Sequence, residues 1–206
     1  MDSKNECYYK INNLIKYGDI FLRNNDLKKL NRMPVTREEI CVGSNMHRGF
    51  YNPSPVFDII VGNVKRGRIL KKKKNTYSQY YRYSFGTDGL LQRAESIYNG
   101  IVATTEYIVR DDSTITGVTI DDVGLCVVCE EEYCDGKLCS CSFMNCYGID
   151  NTYICFDFKR EIYVYDNCGL CECIEQWLNP NNGYYVNDKY SLVRTNNNII
   201  GAFLKH

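Results

Sequence analysis

The stretch CVVCEEEYCDGKLCSC, residues 126–141, decides the fold: it sets five cysteines and three consecutive glutamates around one Asp-Gly. It reads as a metal site, a disulfide framework or a β-hairpin. Asp135-Gly136 fits a two-residue hairpin turn, whose two central positions need the left-handed backbone that Asp tolerates and Gly prefers. Pairing outward from that turn sets Cys134 opposite Lys137, Tyr133 opposite Leu138, Glu132 opposite Cys139, Glu131 opposite Ser140 and Glu130 opposite Cys141. Strict alternation then puts Cys139 and Cys141 on one face. It sends Cys126 and Cys129, three apart, to opposite faces unless a bulge intervenes.

That alternation works against the metal reading. CVVC (126–129) and CGLC (168–171) have the form of two Cys-x2-Cys pairs across a long insert, which a four-thiolate zinc site can use. The interior of CVVC is β-branched without glycine, however, and the glycine of CGLC belongs to its own turn. The thiols are expected to pack as small apolar groups, with no cofactor and with structural zinc as the lesser alternative. Nor are disulfides needed. A chain of 206 residues buries about 70% of the surface its unfolded form exposes, and cysteine-dense secreted scaffolds are usually shorter. The polar start MDSKNECYYK and the absence of a long apolar run predict a cytoplasmic protein with reduced thiols and no membrane association.

The same unit recurs outward from this hairpin. YYRYSFGTDGLLQRAESI and EIYVYDNCGLCECI also carry an aromatic run into a glycine turn and out into another strand. TTEYIVRDDSTITGVTI, NTYICFDF, and the pair YSLVR and IIGAFL add further extended segments rich in β-branched and aromatic residues. VFDIIVGNV (56–64) and GRILKK are also expected as strands. Upstream, apolar positions from Tyr8 to Leu30 recur at spacings of three and four, with Gly18 as a flaw. They predict one helix or two, closed by Pro34. Thr36 and Glu39 have the spacing of a capping box for a further short helix, and residues 43–55 make a loop. The expected architecture is α+β: an extended antiparallel meander of about eight or more strands with N-terminal helical cover. One domain spans 1–206, with a helical part at 1–42 and mainly antiparallel β structure at 56–206.

Net charge is zero, but residues 1–82 carry 17 Lys or Arg against 7 Asp or Glu, and residues 111–150 carry 9 acidic residues and one lysine. Asp111, Asp112, Asp121, Asp122, Glu130, Glu131 and Glu132 are therefore the candidates for meeting a basic protein partner. The basic stretch supports an alternative, nucleic-acid binding. Lys65, Arg66, Arg68, Lys71, Lys72, Lys73 and Lys74 would contact phosphates, and Tyr77, Tyr80 and Tyr81 would stack on bases. A lysine run beside an edge strand also keeps sheets from joining edge to edge. An enzyme of unknown class is a further alternative, but the only histidines are His47, in the loop, and the final His206. No phosphate-cradling loop or dinucleotide fingerprint accompanies them, so no catalytic residue is assigned.

GNVKRGRILKKKK, YYRYSFGTDGLLQRAES and EEYCDGKLCS, across roughly residues 60–142, resemble segments of immunity proteins that Gram-positive bacteria encode beside polymorphic toxins. YVYDNCGL is similar to the tyrosine-aspartate repeats of toxin-associated proteins, although the copies here are irregularly spaced and form no continuous array. The resemblance implies a non-enzymatic protein-binding module that blocks a toxin stoichiometrically, the partner being a basic toxin domain. It transfers no binding residue to a particular position.

Overall fold

A computed structural model describes residues 2–24, 26–43, 47–62, 66–71, 77–149, 152–195 and 198–205. Two helices, α1 (Ser3–Arg23) and α2 (Asp26–Asn31), precede the strands. Strand β1 (Arg37–Val42) leads into a 3-10 turn (Gly49–Tyr51), the one-turn helix α3 (Phe57–Ile60) and β2 (Arg68–Ile69). Ten further strands follow: β3 (Gln79–Phe85), β4 (Leu91–Tyr98), β5 (Ile101–Arg110), β6 (Thr114–Ile120), β7 (Leu125–Cys134), β8 (Lys137–Ile149), β9 (Thr152–Asp166), β10 (Gly169–Asn179), β11 (Tyr184–Thr195) and β12 (Asn198–Leu204). All twelve form one antiparallel sheet in the order β12-β11-β10-β9-β8-β7-β6-β5-β4-β3-β1-β2. The class is α+β, a meander with an N-terminal helix, as the hairpin signals require. Among the described residues no helix is long and apolar enough to cross a membrane.

The sheet presents two faces, and alternation assigns each residue to one of them. On the first, α1 crosses the strands rather than running along them. Its Ser3 accepts a hydrogen bond from Tyr185 of β11, and Phe21 packs on Tyr107 of β5. A helix of 21 residues is about 32 Å long, and six inter-strand steps of about 4.8 Å cover about 29 Å. The helix length therefore matches the sheet it roofs. Cys7, Ile11, Leu14 and Phe21 meet Val118, Val128, Met144, Phe158 and Leu178 in the principal core. Gly18 is explained by this packing, since a Cβ there would come within 2.6 Å of a Leu125 methyl. The apparent flaw in the periodicity is what lets helix and sheet approach.

The second face is covered by residues 47–60, an irregular segment. Two sequence expectations fail on this cover and beside it. VFDIIVGNV is not a strand: residues 57–60 form α3, whose first turn is capped when Ser54 Oγ accepts from the Val56 and Phe57 amides at 3.3 and 2.9 Å. Residues 63 and 64 of that stretch lie outside the described residues. TREEI is not a capped helix but enters β1, which pairs with β3 from Arg37 opposite Phe85 to Cys41 opposite Tyr81. Thr36 Oγ1 donates to the Phe85 and Gly86 carbonyls, so sheet pairing overrides the local capping preference.

The deciding hairpin forms as expected at its tip. Asp135 and Gly136 have φ of 50° and 74°, and Cys134 pairs with Lys137 and Tyr133 with Leu138. Beyond that a bulge at Cys139 advances the register by one. Glu132 lies opposite Ser140, Glu131 opposite Cys141 and Glu130 opposite Ser142, correcting the strict pairing drawn from the sequence. A bulge leaves one residue unpaired and returns the others to alternation, so Cys139 and Cys141 no longer share a face by simple spacing.

Candidate functional site

The most chemically dense place in the molecule lies under residues 47–56. Arg48 takes the left-handed conformation, φ 53°, and its carbonyl accepts the Tyr83 hydroxyl proton. The Tyr83 oxygen in turn accepts the Phe50 amide at 2.8 Å, and Gly49 passes so close to Tyr83 that a Cβ would meet the hydroxyl. This clamp aims the Arg48 side chain down onto the sheet. Its Nε reaches both Glu106 oxygens at 2.8 Å, and Nη1 reaches Glu131 Oε1 at 2.7 Å. The guanidinium lies over Gly117, where any Cβ would fall on Glu106 and within 2.6 Å of Arg48 Nη2. Glycine in mid-strand here makes room for an ion pair.

His47 Nε2 lies 2.9 Å from Glu106 Oε1, and its ring stands edge-on to Phe143. Burial alone would lower the imidazole pKa, but the Glu106 carboxylate and a hydrogen bond with Cys129 raise it to about 9. Glu106 shows the converse: burial pushes its carboxyl up, and the Arg48 and His47 charges bring it down to about 2. Cys129 has no exposed surface, and its Sγ is 4.0 Å from that of Cys141. Burial raises this thiol too. Hydrogen bonds with Cys141 and His47 and the Arg48 charge outweigh that and lower it to about 7. Register carries the polar row onward, because Glu131, Cys141 and Glu161 are direct neighbours across β7, β8 and β9. Glu161 accepts from Ser54 Oγ at 2.5 Å and Tyr163 at 2.6 Å, and lies 3.0 Å from Lys159 Nζ.

Two grooves open on either side of His47. One, of about 160 Å³, is lined by Tyr81, Ser96, Thr104 and Thr119; the other, of about 220 Å³, by Asn52, Phe57, Val127, Phe143, Asn145, Asp157 and Lys159. The imidazole is thus the most accessible member of an otherwise buried Cys129–His47–Glu106 set. A nucleophile, base and orienter stand together, but the nucleophile has no exposed surface for a substrate the size of a peptide or ester to meet.

The acidic residues chosen from the sequence separate in space. Asp111 and Asp112 lie in the β5–β6 turn and Asp121 and Asp122 in the β6–β7 turn, at opposite ends of the seven-residue β6. Glu130 and Glu132 face the helix side and both pair with Lys10, while Glu131 faces the other side and is buried against Arg48. Asp112 and Asp122 remain exposed. Of the basic candidates, Arg66 turns inward to the Asn52 and Ser54 carbonyls, Arg68 and Lys71 are exposed, and Lys65 and Lys72, Lys73 and Lys74 lie outside the described residues. Tyr81 stacks on Tyr83 and Tyr80 is half-buried on β3. His206 also lies outside the described residues.

Among the described residues the cysteines form no disulfide, and no group of three or more His, Cys, Asp or Glu side chains could hold a metal ion. Sequence reading missed Arg48, Glu106, Cys129 and Glu161 as a group. The signal available was a carboxylate at an inward position of each of three apolar strands, in TTEYIV, CEEEYC and FKREIYV, which required a cation from elsewhere. No protein-family model, no curated protein and no solved structure matches this chain.

Proposed function

We propose that the chain is a non-enzymatic protein-binding module that acts by stoichiometric blockade, in the manner of an immunity protein neutralising a bacterial toxin. The observation that carries this reading is the contrast between the two edges of the sheet. Edge β2 is two residues long and carries Arg68, with Lys71 just beyond it, the usual protection against a foreign strand. Edge β12, NIIGAFL, runs seven residues without a charge, and Ile200 and Phe203 are 62% and 66% exposed. A long uncharged edge offers backbone donors and acceptors to an added strand, with side-chain pockets supplying selectivity.

A groove of about 400 Å³ lined by Pro55, Leu138, Tyr165, Leu170, Arg194 and Ile199 opens beside that edge and can accept an apolar side chain of the partner. Trp177 and Tyr184, in edge-to-face contact at 5.3 Å and both substantially exposed, extend the apolar surface across β10 and β11. The test is affinity capture from the native cell with the wild-type chain and with Ile200→Lys/Phe203→Lys, both checked for an unchanged circular dichroism spectrum. A partner retained at fixed stoichiometry by the wild type and lost by the variant is the expected outcome. Capture of the same partner by both, or of none by either, would overturn the reading.

A further inference from the structure

The Cys129, Cys141 and His47 cluster has a use that protein binding does not require. Two thiols whose sulfurs are 4.0 Å apart lie on neighbouring strands, and one of them is hydrogen-bonded to an imidazole that Glu106 holds in place. We propose that Cys129 is a peroxide-reactive thiol and that Cys141 resolves the oxidised product as an intrachain disulfide. The oxidant is hydrogen peroxide or another small hydroperoxide. Thiolates react and thiols do not, and the lowered Cys129 pKa supplies thiolate near neutrality.

In the first step the Cys129 sulfur attacks one peroxide oxygen and the O–O bond breaks. The departing hydroxide takes a proton from the His47 imidazolium and leaves as water, while Cys129 becomes a sulfenic acid. In the second, Cys141 gives its proton to the now neutral His47 and its sulfur attacks Cys129. The S–S bond forms, the S–O bond breaks, and hydroxide takes that proton back to leave as a second water. Two thiols are oxidised by two electrons and one peroxide is reduced to two waters.

Position explains both selectivity and access. Val127, two residues before Cys129 on the same face, and Phe143, directly opposite it, line the groove of about 220 Å³ beside His47. His47 both lines that groove and hydrogen-bonds the buried Cys129, so a reagent little larger than water is favoured there over a bulky disulfide reagent. Cys134 and Cys168 are the exposed thiols and make the internal comparison. A hydrogen bond with Cys139 leaves the exposed Cys134 thiol raised from its ordinary value.

The experiment uses the reduced full chain carrying Cys126→Ser, Cys134→Ser and Cys139→Ser, so that Cys129 is the one cysteine of its tryptic peptide, while Cys141 shares its peptide with Cys146 and Cys155 of the helix-side core and is told from them by fragmentation. It is exposed to limiting hydrogen peroxide, unfolded in an alkylating reagent and cut with trypsin, which cleaves after Lys137 between the two thiols. The expected product is a disulfide-linked pair of peptides carrying Cys129 and Cys141, formed before Cys168 is oxidised and slowed at least about ten-fold by His47→Gln. In Cys141→Ser, unfolding in dimedone should label Cys129 as the trapped sulfenic acid, a readout that holds whether or not His47→Gln folds. Full alkylation of Cys129 and Cys141 while Cys168 is oxidised, or no dimedone adduct on Cys129, overturns the proposal.

Discussion

The two faces of the sheet are built from the same strands and solve burial in opposite ways. Under α1 the sheet offers Val118, Val128, Met144, Phe158 and Leu178, and an apolar helix surface seals them. Under residues 47–60 the alternate positions of the same strands offer Glu106, Gly117, Glu131, Cys141 and Glu161. A regular helix suits the first, because dispersion and area burial demand only shape. An irregular segment suits the second, because each buried carboxylate needs a donor at a particular point and a loop can deliver Arg48, His47 and Ser54 one at a time. Stability of the first face should depend on volume, and that of the second on charge.

Breaking the charged face should have the largest effect. Arg48→Met leaves Glu106 and Glu131 buried without their cation and should cost about 3–5 kcal/mol in urea denaturation; a loss under 1 kcal/mol would mean the carboxylates are solvated. On the apolar face Leu14→Ala should cost about 2–5 kcal/mol through its cavity, with no change in the pH profile of stability.

The pH profile sharpens the contrast further. Glu106, held at about 2 against an ordinary 4.5, contributes stability that is present above pH 4.5 and lost as pH falls through about 2. His47, raised to about 9 from 6.5, contributes stability that is present below pH 6.5 and lost as pH rises through about 9. Their contributions together are greatest between pH 4.5 and 6.5. His47→Gln should flatten the alkaline limb while Leu14→Ala keeps it, as thermal melts from pH 6.5 to about 9 would show. The smallest effect should be that of Lys10→Met. It removes the helix's ion pairs to Glu130 and Glu132 at the margin of the apolar face and should cost about 1 kcal/mol or less.

The sequence made the hairpins legible because their turn chemistry is local. Asp135-Gly136 announces itself, and the period-two alternation from Tyr80 to Phe203 follows from strands with one partner on each side. The bulge at Cys139 was not legible, since the letters around it fit either register and only the neighbouring strand β9 selects one. TREEI and VFDIIVGNV were misread for a related reason: β1 is a strand because β3 is beside it, and α3 turns because Ser54 caps it. The site was the least legible part. Arg48 and Glu106 are 58 residues apart and Arg48 and Glu131 are 83 apart, and no local pattern links them.

The crossing of α1 over the strands has a consequence for how the molecule assembles. The meander grows by nearest-neighbour hairpins, each of which closes on the microsecond scale. The helix precedes every strand in chain order, yet its bed is β7, β9 and β10, and Lys4 donates to the Gly183 carbonyl 179 residues away. During synthesis at about 5–20 residues per second, its apolar stripe therefore waits many seconds for the surface that will cover it. Among the described elements, α1 is the one most in need of a chaperone's protection at that stage.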